Sequence, residues 1–275
     1  MTSASLRGRT AVVAGGGRGV GRAIADALAA RGAAVAVVAR SADQVRAAAA
    51  AIRDAGGTAR GFSCDIASAD AVDALADEVR ATLGPATIVV NAAGVFGPIA
   101  LIKDADPRRW AETIAINAIG PYQVCRAFLG GMLNARWGRI VNLSSAAALH
   151  PPGPLNSAYA TSKVALNQLT RHLAAELVGS GVTANVIHPG EVKTEMWAAI
   201  RAEADRLGPD AQPYRDWVAM VERTGGDAPT KAADLVLRLI SDGEAITGRF
   251  LWIDGGLQQP IASWGEATGA KTWSS

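Results

Sequence analysis

Cysteine is nearly missing from this chain: Cys64 and Cys125 are the only two in 275 residues. That excludes a scaffold built on disulfides, and the pair lacks metal-ligand spacing. Both sit in apolar surroundings and read as core thiols in a reducing compartment. Histidine is also scarce. His150, His172 and His188 form no cluster with cysteine or aspartate at metal spacing, so no metal is expected. His188, before Pro189, reads as structural, and His172 as a surface or interface residue. His150 is a lesser candidate for touching substrate.

An excess of charge is missing too. Lys and Arg number 27 against 25 Asp and Glu, for a net charge of +2. That balance gives no surface for nucleic acid or an acidic membrane. No apolar run approaches the roughly 20 residues of a membrane span. The N-terminus is polar until Thr10 and then gives one short apolar run, so no signal peptide and a cytoplasmic location are expected. There is no linker and no usable internal repeat. One domain over residues 1–257 is expected, followed by a tail at 258–275 with Trp264 and Trp273. The tail either packs on a partner subunit or is mobile.

What is present is alternation. Short apolar runs predict strands at Thr10–Ala14, Ala34–Ala39, Ala59–Ser63, Thr87–Asn91, Arg139–Leu143, Thr183–Ile187 and Phe250–Ile253. Amphipathic stretches predict helices near Val20–Ala30, Ala42–Ala55, Ala69–Leu83, Pro107–Asn117, Pro121–Ala135, Ser157–Val178 and Lys231–Ser241. Strand–helix alternation means right-handed βαβ units: an α/β fold with a seven-stranded parallel sheet and helices on both faces. The strands are near-continuous Val, Ile and Ala, as strands buried on both faces should be. Gly190–Thr230 reads as the one long irregular stretch, a candidate substrate lid over about 190–230. Its Met196, Trp197, Tyr214, Trp217 and Met220 either line a site or fill core.

Two motifs carry chemistry. The run from Ala14 to Gly21 follows a strand and opens a helix, the context a dinucleotide-binding turn requires. Gly15 permits the tight turn, Gly19 lets backbone approach a pyrophosphate, and Gly21 allows close helix–strand packing. After the second strand an NAD site usually has an acidic residue, but here Ala39 is followed by Arg40. With Arg18 in the glycine loop, two guanidiniums favour a 2′-phosphate, hence NADP(H). Tyr159 and Lys163 lie four residues apart and share a helix face. A phenol with an ordinary pKa of about 10 needs a neighbouring cation to exchange protons near neutrality.

These motifs resemble the short-chain dehydrogenase/reductase family, over most of the chain from Gly15 to Gly256. Asn91-Ala-Ala-Gly94 is similar to the family's Asn-Asn-Ala-Gly segment, and Asn117 to its helix asparagine. Val141–Ser145 matches the strand ending in the active serine, and Tyr159 with Lys163 the Tyr-x-x-x-Lys pair. Pro189, Gly190 and Thr194 match the segment that holds the nicotinamide, and Asp65 the aspartate beside the adenine. The resemblance implies a Rossmann-type doubly wound fold with Asn117, Ser145, Tyr159 and Lys163 as catalytic residues. It implies cofactor contacts from Gly15, Arg18, Gly19, Val20, Gly21, Arg40, Asp65, Ile66, Asn91, Ala92, Gly94, Tyr159, Lys163, Pro189, Gly190, Val192 and Thr194.

Two departures stand out. Ala14 replaces the usual Thr, removing a hydroxyl that would tie the glycine turn down. Fourteen positions separate Ser145 from Tyr159, one more than is common, which leaves Ser144 as a second candidate for the active hydroxyl. The activity implied is reduction of a carbonyl, with Tyr159 as proton donor and Lys163 lowering its pKa. Ser145 would bind the same oxygen, and Asn117 would hold a water linked to Lys163. NAD-dependent alcohol oxidation and a cofactor-sensing binding protein remain open, though the second would be expected to lose Tyr159 or Lys163. The apolar lid favours a neutral hydrophobic ketone, with a 3-oxoacyl thioester also open. A homotetramer, or else a dimer, is expected through Ala-, Leu- and Val-rich outer sides of the helices at Pro121–Ala135 and Ser157–Val178.

Overall fold

All five residues of strand β1, Thr10–Ala14, are buried. Alternate side chains leave a strand on opposite sides, so Ala11 and Val13 join one apolar cluster while Val12 and Ala14 join another. The computed structural model, which describes residues 5–149, 153–241 and 246–255, repeats this pattern across a parallel sheet. The other strands are β2 (Ala34–Ala39), β3 (Thr58–Ser63), β4 (Ala86–Asn91), β5 (Gly138–Leu143), β6 (Val182–His188) and β7 (Phe250–Trp252). Their order is β3-β2-β1-β4-β5-β6-β7, every pairing parallel. Expected and observed strands agree to within a residue at most ends.

Helices α1 (Gly19–Ala30) and α2 (Ala42–Asp54) cover one face with α9 (Pro229–Ser241). Helices α3 (Ala69–Leu83), α5 (Gly120–Asn134) and α6 (Ser157–Glu176) cover the other. Each large aliphatic side chain buried in these layers contributes roughly 1.5–3 kcal/mol. The chain builds outward from β1 to β3, then returns to place β4 on the other side of β1. A cleft therefore opens at the carboxyl ends of β1 and β4, where open α/β sheets bind ligands.

Two expectations are corrected. The Gly190–Thr230 stretch is mostly helical: α7 covers Glu195–Leu207 and α8 covers Gln212–Thr224, joined by a 3₁₀ turn at Gly208–Ala211. Thr194 caps α7 by accepting the Trp197 N–H at 3.4 Å, and Gly225 ends α8 at φ +84°. Only Ile200 and Ala204 of α7, and Val218 and Val221 of α8, are buried. So thin an apolar stripe hides the helical period. The expected helix to Asn117 also stops early: α4 covers only Pro107–Ile114, and a π turn over Ala115–Ile119 runs straight into α5.

The outer side of α6 also differs from expectation. Beside the exposed Ala165 and Ala175 and the half-buried Val164 and Leu169, it carries Thr161, Gln168, Arg171, His172 and Glu176, so it is more polar than the Ala-, Leu- and Val-rich surface expected. Exposed large apolar groups lie around α5, at Ile119, Tyr122 and Leu133, and also at Val178 just past α6 and at Leu101 and Ile102. His150 and the tail at 258–275 lie outside the described residues. Among the described residues no helix is long and apolar enough to cross a membrane, and no group of acidic, His and Cys side chains could hold a metal.

Candidate active site

The glycine turn is built with no room for side chains. Gly15 has φ +81°, and a Cβ there would stand 2.5 Å from the Ala93 nitrogen. A Cβ on Gly21 would stand 2.2 Å from the Gly15 carbonyl oxygen. Both contacts are with backbone, so neither can yield cheaply. The missing Thr hydroxyl at Ala14 is compensated by backbone: Gly15 N–H donates to Val38 O at 2.8 Å, and Ala92 N–H to Ala14 O at 2.8 Å. No side chain caps α1, whose N-cap is Arg18. The leading N–H groups of α1 are therefore left for an anion. The turn opens on a cavity of about 910 Å³.

Of the residues expected to be catalytic or to touch cofactor, all but Asn91 and Asn117 line that cavity. Asn91 is locked behind its wall, donating to Asn142 Oδ1 at 2.8 Å and Cys125 Sγ at 3.4 Å. Its side chain ties β4 to β5. Burial pushes the Cys125 thiol up to about 12, consistent with an inert core thiol. At the outer end, Arg40 faces Glu112 of α4 at 3.6 Å. The sequence reading of two guanidiniums with no carboxylate missed this partner, which only the fold brings near. Asp65 accepts the Ala67 N–H at 3.0 Å, while Ile66 is buried against Gly120.

At the inner end, α6 presents Tyr159 and Lys163 to Ser145, which follows β5 and caps the 3₁₀ turn Ala146–Ala148. That turn lies in the segment carrying the extra residue. Ser145 hydrogen-bonds the Tyr159 side chain. Ser144 points elsewhere: it is buried, with its hydroxyl 3.5 Å from the Lys163 carbonyl. Lys163 donates to Leu143 O at 2.8 Å, and burial lowers its pKa to about 8. Its Nζ is 5.6 Å from the Tyr159 ring centre.

The Tyr159 phenol sits well above its ordinary range. Burial pushes it up to about 12; the Ser145 hydrogen bond lowers it, and the Glu191 carboxylate raises it further. Lys163 is not among the groups that shift it, and its ammonium donates to the Leu143 carbonyl. Asn117 sits in the π turn, where such irregularities often serve sites. It accepts from Val95 N–H at 2.9 Å and donates to Val95 O at 2.8 Å and Ser162 Oγ at 3.0 Å. Its amide is thus engaged by protein, with Gly94 between it and the Lys163 ammonium.

Three groups at this end were missed from the sequence. Phe96 stacks on Tyr159 at 4.6 Å and meets Tyr214 edge-on at 5.5 Å. Asn156 hydrogen-bonds the Tyr214 side chain. Glu191 accepts from Trp217 Nε1 at 2.8 Å. The only sequence signal was Glu191 itself, a carboxylate directly after Pro189-Gly190 in an apolar segment.

This architecture is shared. The family model for short chain dehydrogenases matches residues 9–205. A short-chain reductase protein, NovJ, of Streptomyces niveus is 39% identical over 248 residues, covering 90% of this chain and 92% of that protein. The structure of an NAD⁺-bound xylitol dehydrogenase superposes with a TM-score of 0.82 at 28% identity, covering 90% of this chain and 98% of the other. A gluconate 5-dehydrogenase from Burkholderia cenocepacia J2315, in complex with NADP and tartrate, superposes with a TM-score of 0.80 at 29% identity, covering 94% and 98%. With the glycine turn, the sheet order and the Ser–Tyr–Lys cluster in place, the chain belongs to the short-chain dehydrogenase family.

Proposed function

We propose that the protein is an NADPH-dependent carbonyl reductase with one catalytic unit over residues 1–257. The observation that carries the reading is that Ser145, Tyr159 and Lys163 line the same cavity as the glycine cradle. The residues fit a dinucleotide: the turn at Gly15, Gly19 and Gly21 lines the cavity, and no side chain caps the start of α1 beside it. Backbone from Gly15 to Gly21 would hold the pyrophosphate, and Arg18 and Arg40 the 2′-phosphate. Asp65, Ile66, Ala92 and Gly94 would border the adenosine and ribose, and Pro189 to Thr194 the nicotinamide. The bound cofactor would supply a hydride to the carbonyl carbon.

The protein's own groups handle the oxygen. Ser145 donates a hydrogen bond to it, and Tyr159 gives it a proton. A phenol near 12 is protonated throughout the neutral range, so its resting form suits reduction. In oxidation it would first have to lose that proton. Lys163, near 8, still carries its charge at neutral pH and opposes the negative charge left on the phenol. Asn117 fixes the 94–95 backbone beside Lys163 and so acts as a positioning residue.

Arg40 tests the cofactor preference. Arg40→Asp should shift the ratio of kcat/KM for NADPH over NADH towards NADH by at least about tenfold, because a bidentate phosphate partner becomes a carboxylate suited to a ribose diol. The pairing of Arg40 with Glu112 gives the NAD reading its one foothold, since it occupies the guanidinium. A parent enzyme that already prefers NADH would make Arg40–Glu112 an ordinary surface pair.

Assembly into a homotetramer, with a dimer as second choice, belongs to the same reading. Ile119, Tyr122 and Leu133 are each more than 40% exposed around α5, and a two-fold contact would cover them. Light scattering should give a multiple of 28.2 kDa. A single-chain mass at micromolar concentration, with full activity, would contradict it.

A further inference from the structure

The rings at the Tyr159 end of the cavity come from three separate elements and meet at the phenol. Phe96 follows β4, Tyr159 lies on α6, and Tyr214 and Trp217 lie on α8. Tyr214 and Trp217 are three residues apart, so they share one face of that helix, and both line the cavity with Phe96. Phe96 stacks on Tyr159 with ring centres 4.6 Å apart and meets the Tyr214 ring edge-on at 5.5 Å. Phe96, Tyr214 and Trp217 are each only half-buried. Rings that fill core are covered on every side, whereas these keep open surface where they line the cavity.

Their positions are held. The Tyr214 side chain hydrogen-bonds Asn156, the residue before α6, and Trp217 Nε1 donates to Glu191 Oε2 at 2.8 Å. Both rings of α8 are thereby tied to segments outside their own helix. A wall ordered in advance loses little conformational freedom when a ligand binds. Aromatic rings pair best offset-stacked or edge to face, with centres roughly 4.5–7 Å apart. This wall already holds one contact of each kind, beside the group that would give the proton. Met196 adds a polarisable thioether to the same lining.

Taking the carbonyl-reductase reading as its basis, we propose that the substrates are aryl ketones: an aromatic ring sits on the carbonyl carbon or one carbon away, and packs against Phe96 and Tyr214. This narrows the sequence expectation of a hydrophobic ketone. An aliphatic chain gains contact area from the same wall, but only a flat ring also gains pairing with its rings.

The test compares benzamide with cyclohexanecarboxamide. Both carry a carbonyl on a ring of the same carbon count, and a nicotinamide hydride reduces neither. One ring is flat and aromatic; the other is puckered and has more apolar surface. Burial of area alone therefore gives benzamide no advantage. Binding to the NADPH-saturated protein is read by ligand-observed NMR titration. The parent should bind benzamide at least about fivefold more tightly, as two ring pairs would give. Tyr214→Phe keeps the ring and should keep that ratio. Tyr214→Leu should bring the two affinities within about twofold. Phe96→Leu should do the same from a different element, so the test survives if one leucine variant fails to fold. Equal or tighter binding of the cyclohexyl amide by the parent, or no binding of either amide, would overturn the proposal. So would a parent ratio that persists in the leucine variants. Because binding is read without turnover, a parent that prefers benzamide but reduces no ketone would sink the reductase reading and leave the aromatic preference standing.

Discussion

Tyr159→Phe is expected to lose at least about a hundredfold in turnover, the lower range for losing a general acid, with cofactor affinity nearly unchanged. The substitution is close to a pure deletion of the hydroxyl. The ring stacks on Phe96 at 4.6 Å with planes 29° apart, and phenylalanine preserves that contact. The loss should therefore fall on kcat and not on folding. Lys163 already has its own acceptor, the Leu143 carbonyl, so no buried charge is stranded. Ser145 loses one partner but keeps the Ala147 N–H at 3.2 Å. Turnover close to that of the parent would remove Tyr159 from the chemistry.

Gly21→Ala should be nearly as damaging, by a different route. The added methyl would lie 2.2 Å from the Gly15 oxygen and 2.8 Å from its carbonyl carbon, and 3.1 Å from Ala92 Cβ. No rotamer relieves a clash between a Cβ and backbone, so α1 and the turn must separate. Overpacking of this kind costs roughly 1–3 kcal/mol of stability. Cofactor affinity should fall by at least about tenfold, since the N–H groups at the start of α1 leave their positions. Thermal melting with and without NADPH separates the two effects. A variant that melts and binds like the parent would show that the turn is slack.

Much of this was legible from the sequence, for physical reasons. Strands buried on both faces read as near-continuous Val, Ile and Ala runs, and β1 and β2 are such runs. The glycine turn was legible because no other residue fits at Gly15 and Gly21. Tyr159 and Lys163 were legible because one helix fixes their spacing. Helices α7 and α8 were not, because most of their large side chains face the cavity or solvent. Contacts between distant segments were also hidden. Glu112 reaches Arg40 only because α4 crosses near the end of β2, and Trp217 reaches Glu191 only because α8 folds back over β6. That Ser144 lies against the Lys163 carbonyl while Ser145 faces the Tyr159 side chain was hidden as well, since it depends on which face of the β5 end each occupies. The elevated Tyr159 phenol was invisible for the same reason, since burial and the Glu191 charge come from the folded cavity.

The central claim is that one cavity joins the glycine cradle to the Ser145–Tyr159–Lys163 cluster for hydride transfer to a carbonyl. Its most direct test uses NADPH deuterated at the transferable position of the nicotinamide, a neutral ketone, and the parent enzyme. The account predicts that deuterium appears on the carbinol carbon of the product, in step with cofactor oxidation, and that Tyr159→Phe slows both alike. Tight NADPH binding with no deuterium transferred to any ketone in a broad neutral panel would contradict it, and would make the chain a cofactor-binding protein without this chemistry.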